Sequence, residues 1–485
     1  MGVEVEENTT AVLQTGLTCN THYWTKHDVE KATKGTWIIP PPESWAASGL
    51  SIFAPAIQPG NMAVLRTEED KCGILASVAL RLTPPPSCLI TSDPAIVHAD
   101  SIPLLRIANN TDAILAMGRY ARDRIKGRVL GVTGSAGKTT CVAMVAEALS
   151  AWGHTCKSNN NANLPRGVAW NIASMPWDSA HIVVEMAIGR MAVSSRMVRP
   201  EVAIFTNIQP AHLGENTTVH DVALTKSAIF VGMAPGGVAI LNRDMLEWET
   251  VSAAADARQQ TVVNYGTHPD CQYRLLDYDA GLQQVTAQIG ERTLRYRLDA
   301  GGKHMALNSL AALAAVDALG YPLEPAIEIL SRFTALAGRG EEKQVTVDGR
   351  ALTMIDDAYN ANPGSMQAAI ERLSEQPCAG RRIAVLGEMA ELGPGAENYH
   401  TALAPQLNAS QIDRIYLAGE RYAQCWSQLD EAKRGAWVAT PEELRPLLML
   451  PDALQTGDTV LFKGSNSTKV HQLVSWINTM QRTDV

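Results

Sequence analysis

Short apolar runs, each closed by a glycine or a polar turn, recur along most of this 485-residue chain. Arg128-Val129-Leu130 leads into a glycine-containing stretch at 131–140. Val142, Met144, Val145, Ala148 and Leu149 then return at the spacing of one helix face, so the pattern predicts strand, turn and helix in that order. Further apolar strand candidates follow at 181–186, 202–207 and 237–242, separated by polar or helical stretches. That rhythm predicts a parallel sheet with crossover helices. From 261 to 298 the pattern changes to alternating β segments with a turn near Gly290, and 306–319 reads as an alanine/leucine helix ended by Gly320. Residues 344–347 and 351–355 flank Asp348-Gly349, a hairpin signal. Segments 382–387, 414–419 and 459–464 look like strands ending in glycine turns, with helical stretches between them. They predict a smaller Rossmann-like α/β unit.

Length suggests about three domains. The expected boundaries give 1–126, rich in proline around Pro40-Pro41-Pro42 and Pro84-Pro85-Pro86, then 127–337, then 338–485. No internal repeat of fixed period is visible.

Composition narrows the class. A hydrophobic fraction of 46% is ordinary for a globular chain, and a net charge of -9 gives no general footprint for nucleic acid or anionic membrane. The start, Met1-Gly2-Val3-Glu4-Val5-Glu6-Glu7, is acidic and lacks the regions of a secretory signal, and no apolar run is long enough to span a bilayer. Eight cysteines without a C-x-x-C pair read as free thiols in a reducing cytosol, with Cys141 a packed thiol. The expected location is cytoplasmic.

The turn at 131–140 carries chemistry. Thr133-Gly134-Ser135-Ala136-Gly137-Lys138-Thr139-Thr140 places a glycine-rich loop between strand and helix, where backbone N–H groups and the positive helix end can surround a polyphosphate. Lys138 can reach terminal phosphates, and the Thr139 hydroxyl can ligate Mg²⁺. The usual G-x-x-x-x-G-K-[ST] spelling wants glycine where Val132 stands. A bound ATP or GTP is expected. Glu185, ending a buried-type strand, reads as a Mg²⁺ ligand or a solvated strand-end carboxylate. His212 is equally a structural residue or a ligand, and Lys226 alone would pass for a surface lysine. Gly338-Arg339-Gly340 and Asp356-Asp357-Ala358-Tyr359-Asn360-Ala361-Asn362-Pro363 supply an arginine and a paired-carboxylate loop beside a domain junction, where loops close over ligands or simply turn.

With these residues together, the chain resembles the Mur ligases, ATP-dependent amide-forming enzymes of peptidoglycan assembly. The likeness runs from about residue 127 to the C-terminus and is nearest to the branch adding D-alanyl-D-alanine to UDP-N-acetylmuramoyl-tripeptide. T-G-x-x-G-K-T is that family's spelling of the nucleotide loop, which accounts for Val132. The resemblance implies an α/β chain of three domains: a small divergent N-terminal domain, a central P-loop parallel-sheet ATPase domain and a C-terminal Rossmann-like domain. It implies that Thr133, Gly134, Ser135, Ala136, Gly137, Lys138, Thr139 and Thr140 bind ATP. Thr139 and Glu185 would hold a first Mg²⁺, and His212 a second. Lys226, in K-x-x-x-[FY] spacing, would be carbamylated to support that second ion. Asn161 and Asn163 match the N-L-N segment of the donor-side loop, with Leu164 where a second consecutive asparagine is usual. His304 and Asn308 fall in an H-x-x-x-N pattern whose asparagine reads adenine. Arg339 and Asp357 match nucleotide-contacting positions. Tyr359-Asn360-Ala361-Asn362-Pro363, Gly387-Glu388-Met389-Ala390-Glu391-Leu392-Gly393 and Lys463-Gly464-Ser465 match further segments, so Tyr359, Asn360, Asn362, Lys463 and Ser465 are expected at the substrates.

The N-terminal unit departs from that pattern. It keeps Gln58-Pro59-Gly60-Asn61, but the family's D-S-R is replaced by Phe53-Ala54-Pro55. Its K-G-x-x-x-D-G-H-D segment reads Thr67-Glu68-Glu69-Asp70-Lys71-Cys72-Gly73-Ile74, and Asn466 stands where an arginine usually follows Ser465. An arginine able to pair with phosphate is lost. The expectation is therefore a ligase that activates a small, non-UDP-sugar carboxylate donor as an acyl phosphate for attack by an amine. The alternative is a true peptidoglycan-precursor ligase. A scaffold descended from a ligase would be expected to lose Lys138, Glu185, His212 or Lys226, and a kinase has no evident need for the Lys226 segment. The partners expected are a small-molecule donor and acceptor, with no nucleic acid and no obligate protein.

Overall fold

The structure is a computed structural model that describes residues 23–98, 101–159, 161–214 and 216–480. The acidic segment Met1–Glu7, read above as lacking a secretory signal, lies outside the described residues. By contact density the chain divides into two compact units. One holds the described residues up to Ala113 together with Ser174–Trp177, and the other holds the remaining described residues.

The larger unit carries two sheets. The first has nine strands, in the order Arg292–Arg297, Gln284–Ile289, Tyr273–Asp279, Thr261–Gly266, Val238–Asn242, Val202–Phe205, Arg128–Thr133, His181–Glu185 and Thr155–Lys157. The strands from Thr155–Lys157 to Tyr273–Asp279 run parallel, and the last two extend the sheet antiparallel. Val129, Leu130, Val132, Ile182, Val183, Val184, Ala203 and Ile204 are all buried. Such unbroken apolar strands suit a sheet covered on both faces. Arg128–Thr133 lies between strands that come later in the chain on either side. Its C-terminal end is therefore a topological switch point, the usual ligand position in an open α/β sheet.

The helix Lys138–Leu149 departs from the one-sided pattern. Every residue from Thr140 to Ala146 is buried, as are Ala148 and Leu149. It packs against the helix Lys303–Ala318, itself buried nearly throughout, in the core cluster that also contains Leu310, Leu313 and Val316. A helix enclosed all round need show no amphipathic stripe.

The second sheet has six strands in the order Glu341–Val347, Arg350–Asp357, Thr459–Lys463, Arg382–Gly387, Arg414–Ala418 and Arg434–Val438. The first pair is an antiparallel hairpin whose turn residues Asp348 and Gly349 have φ of 50° and 72°. Positive φ at both positions is what an Asp-Gly hairpin turn requires. The edge strand Arg434–Val438 was not anticipated, because its R-G-A-W-V sequence has neither an apolar run nor a clean alternation.

The smaller unit contains a five-stranded sheet in the order Thr36–Ile39, Leu104–Arg106, Cys88–Thr91, Asn61–Val64 and Gly49–Ser51. All neighbours are parallel except the first pair. Ala63, Leu65, Ile74, Ala79, Leu89 and Leu104 form its core cluster. Ser174 is held in this unit because its hydroxyl donates to the Leu50 carbonyl at 2.7 Å and accepts from the Leu50 N–H at 3.1 Å.

Candidate active site

The glycine loop sits at the switch point. Val132 is still a strand residue, paired with Glu185 on one side and Ile204 on the other, so the position needs a β-former rather than a flexible turn residue. The left-handed positions fall at Gly134 and Gly137, with φ of 144° and 75°. A Cβ at Gly134 would lie 1.9 Å from Thr206 Oγ1, so a side chain there would collide with the next strand's end. Asn207 braces the turn. Its carbonyl accepts the Ser135 N–H at 3.0 Å, and its side-chain oxygen accepts the Ala136 N–H at 2.9 Å. The helix's first backbone bond runs from Cys141 N–H to Gly137 carbonyl. The N–H groups of Lys138, Thr139 and Thr140 thus precede the ladder and are available to an anion.

Four of the expected residues meet around this loop. The Thr139 hydroxyl donates to Glu185 Oε2 at 2.6 Å, and Asn163 Nδ2 donates to Glu185 Oε1 at 2.8 Å. Lys226 is fully buried, and its Nζ donates to the Gly134 carbonyl at 3.0 Å. Burial holds the Lys226 amine well below its ordinary pKa, and the nearby Lys138 charge lowers it further, while Glu185 opposes both. Burial lowers Lys138 as well, Glu185 again opposing and Arg339 adding repulsion. His212, at φ 57°, lies within electrostatic reach of Lys226 and Lys138. Burial outweighs the neighbouring Glu391 and lowers its pKa. Its Nδ1 meets the Glu391 carboxylate.

The residues expected at the nucleotide come from both halves of the larger unit. Asn308 is buried, with its side-chain amide 3.3 to 3.4 Å from where a Gly137 Cβ would stand. Arg339 stacks its guanidinium over Tyr359, 4.1 Å from the ring centre. Asp357 and Lys463 are cross-strand partners joined by a 2.7 Å ion pair, and Lys463 Nζ also donates to the Asn360 carbonyl. Burial, with Arg372 and Lys463 nearby, lowers the His304 pKa to about 3.

Several expected substrate residues have structural partners. Asn362 caps the helix Pro363–Glu375, and its Nδ2 lies 3.4 Å from the Ser135 carbonyl, tying the C-terminal part to the phosphate loop. Ser465 Oγ donates to the Ala361 carbonyl and accepts the Ala390 N–H. Asn360 accepts the Ala361 N–H, and Asn161, with φ 51°, accepts from Asn163. In the smaller unit the Gln58–Asn61 landmark is a closed turn, with Asn61 Oδ1 accepting the Gln58 N–H at 3.0 Å. Phe53, after the strand Gly49–Ser51, is 52% exposed. Sequence reasoning missed Asn207, Lys303 and Arg372. Lys303 bonds Glu371 and Glu375, and Arg372 donates to the Gly340 carbonyl at 2.7 Å. An isolated basic residue at a helix start or inside a helix gives no sequence signal of such a junction.

The residues fit a nucleoside triphosphate, since glycines at the required φ, free first-turn N–H groups and a buried lysine converge on one end of the sheet. Among the described residues there is no cluster of three or more His, Cys, Asp or Glu side chains shaped to hold a metal. Mg²⁺ rarely needs one, because it takes one or two carboxylates plus phosphate oxygens and water. The Thr139–Glu185 pair suits that role.

This arrangement defines a P-loop nucleotide-binding protein of the α/β class. The middle-domain model of the Mur ligases matches residues 132–316, and the model described as Mur ligase, glutamate ligase domain, matches 338–466. The UDP-N-acetylmuramoyl-tripeptide–D-alanyl-D-alanine ligase of Escherichia coli is 30% identical over 383 residues, covering 77% of this chain and 82% of that enzyme. Its Bacillus subtilis counterpart is 29% identical over 75% of this chain and 79% of that one. A crystal structure of MurF from Acinetobacter baumannii superposes with TM-score 0.79 at 24% identity, covering 94% of this chain and 99% of that one. MurF from Thermotoga maritima in complex with ADP gives 0.70 at 21% identity, over 90% and 98%. The chain belongs to the Mur ligase family. It has that family's three-domain α/β fold and is an ATP-dependent ligase forming C–N bonds. No helix among the described residues is long and apolar enough to cross a membrane.

Proposed function

We propose that the chain joins D-alanyl-D-alanine, or a closely similar amine, to UDP-N-acetylmuramoyl-tripeptide. The observation that carries this is the 30% identity to the E. coli enzyme across 383 residues. The expectation of a donor outside the UDP-sugars draws no support from the relatives. Its basis is local, the departures at Phe53-Ala54-Pro55 and Thr67–Ile74. The likeness to MurF structures extends over 94% of the chain. Loss of one arginine removes a phosphate contact without removing the domain that binds the donor.

In this reading the domains are 1–126 for the donor, 127–337 for ATP and 338–485 for acceptor and closure. Lys138 and the free N–H groups of the loop hold the ATP phosphates. Thr139 and Glu185 would hold one Mg²⁺, and His212 with Lys226, carbamylated, would hold a second. Bound there, Mg²⁺ offsets repulsion between the donor carboxylate and the γ-phosphate. The carboxylate attacks the γ-phosphate to give an acyl phosphate and ADP, and the amine then attacks the carbonyl and expels phosphate. Lys138 stabilises the transferring charge. Arg339, Asp357 and Asn308 orient the nucleotide. Asn161, Asn163, His304, Tyr359, Asn360, Asn362, Lys463 and Ser465 line or brace the substrate side, and docking of the C-terminal domain excludes water from the acyl phosphate.

The test is ADP and phosphate release with mass spectrometry of products. UDP-N-acetylmuramoyl-tripeptide plus D-alanyl-D-alanine is run beside a panel of free acids and amines. Turnover dependent on both cell-wall substrates supports the reading. Silence on that pair, with turnover on a free acid and amine, overturns it.

A further inference from the structure

Two strained turns face each other across the junction of the two sheets of the larger unit. His212 has φ 57°, and on the opposing segment Glu391 and Gly393 have φ of 60° and 65°. Non-glycine residues in this region cost on the order of 1 kcal/mol each and persist only where their surroundings over-determine them. The contacts here do so. The Leu213 N–H donates to the Glu391 carbonyl at 2.9 Å, and Leu213 and Leu392 form an isolated parallel bridge. A Cβ at Gly393 would stand 3.1 Å from the Gly214 carbonyl oxygen. In this setting the Glu391 carboxylate meets His212 Nδ1.

We propose that Glu391 is a positioning residue for His212, and that through it the C-terminal domain sets the histidine's tautomer. A carboxylate can only accept from a neutral imidazole, so Nδ1 carries the proton and Nε2 keeps its lone pair. A histidine whose far nitrogen is held by a carboxylate is fixed in ring orientation and made a better ligand through the other. Glu391 and His212 come from different domains, so the histidine is set only when the two are docked. Closure thus completes the site chemically as well as sterically. This rests on the reading of His212 as a member of that site.

The test uses the full chain labelled with ¹⁵N-histidine, comparing wild type with Glu391→Ala and Glu391→Gln. His212→Gln serves only to assign the signal. Two-bond ring correlations report the tautomer without any substrate, so failure here is distinct from failure of the proposed substrates. The expected result is an Nδ1–H signature for His212 in wild type, its loss in Glu391→Ala and its retention in Glu391→Gln, whose amide oxygen accepts the same bond. Turnover of ATP should fall roughly 10- to 100-fold in Glu391→Ala, mostly in kcat, and recover largely in Glu391→Gln. Glu391 is 64% exposed, so neither variant removes core packing. An Nε2–H signature in wild type, or an unchanged tautomer and kcat in Glu391→Ala, would overturn the proposal.

Discussion

The Thr139 hydroxyl donates to Glu185 Oε2 at 2.6 Å, binding the first turn of the phosphate-loop helix to the end of the neighbouring parallel strand. The pair is separated by 46 residues in sequence and brought together by the switch point of the sheet. Thr139→Val removes one hydrogen bond worth about 1 kcal/mol and keeps the side chain's shape. Its unfolding midpoint should move little, while ATP turnover should fall by about 100-fold or more through loss of a group that acts where charge develops. Equal small effects on both would exclude a role for the pair at the phosphates.

Lys226 is a second point of test. Burial and the nearby Lys138 charge hold the Lys226 amine well below its ordinary pKa, which favours the free base, the form that reacts with CO₂. With ¹³C-bicarbonate the active enzyme should show a carbamate carbon resonance that is absent from Lys226→Ala. That variant should lose at least about 100-fold in turnover and regain part of it with a small carboxylate such as formate. A fully active preparation lacking the resonance would rule the modification out.

His304 predicts a pH dependence. Its pKa is about 3 in the folded chain against the ordinary 6.5, so the unfolded chain binds more protons between those values. Stability therefore falls as pH drops from about 6.5 toward 3, and this residue adds no slope above that window. In His304→Gln the loss of stability between pH 7 and pH 4 should be smaller than in wild type, measured by denaturant midpoints. Parallel curves would show that burial does not suppress protonation there.

Arg372 is 6% exposed and donates to the Gly340 carbonyl at 2.7 Å, with Glu342 at 3.5 Å. Arg372→Ala leaves that carbonyl and a cavity behind, and should cost about 3 kcal/mol in equilibrium unfolding. Arg372→Met, which fills the space but donates nothing, should recover part of that loss. Equal losses in the two variants would mean that packing contributes nothing at this site.

The strands and the phosphate loop were legible because local sequence decides them. Buried parallel strands need uninterrupted apolar runs, and a phosphate turn needs glycine at positive φ. Asp348-Gly349 likewise declares its hairpin. The strand Arg434–Val438 was hidden because an edge strand draws its definition from its neighbour more than from its own residues. The roles of Glu391 and Arg372 were hidden for a related reason. Each depends on a partner outside its own sheet or helix, and a glutamate in a turn looks the same whether it faces water or a histidine. The donor is the least legible part. The departures at Phe53-Ala54-Pro55 and Thr67–Ile74 point away from a UDP-sugar, while the likeness along the rest of the chain supports the peptidoglycan alternative and lends that first reading no support.

The enclosure of the helix Lys138–Leu149 has a consequence for how nucleotide binding and folding are linked. Its first turn presents the phosphate-binding amides, while its later turns are core on nearly every side. The hydrogen-bonded amides of those later turns therefore exchange only through large-scale unfolding, while the first-turn amides, outside the helix ladder, stay open to a ligand. A ligand held by them binds the native state alone, so each tenfold rise of free ATP above its dissociation constant adds about 1.4 kcal/mol to the stability of the domain. The nucleotide is in this sense a removable part of the core.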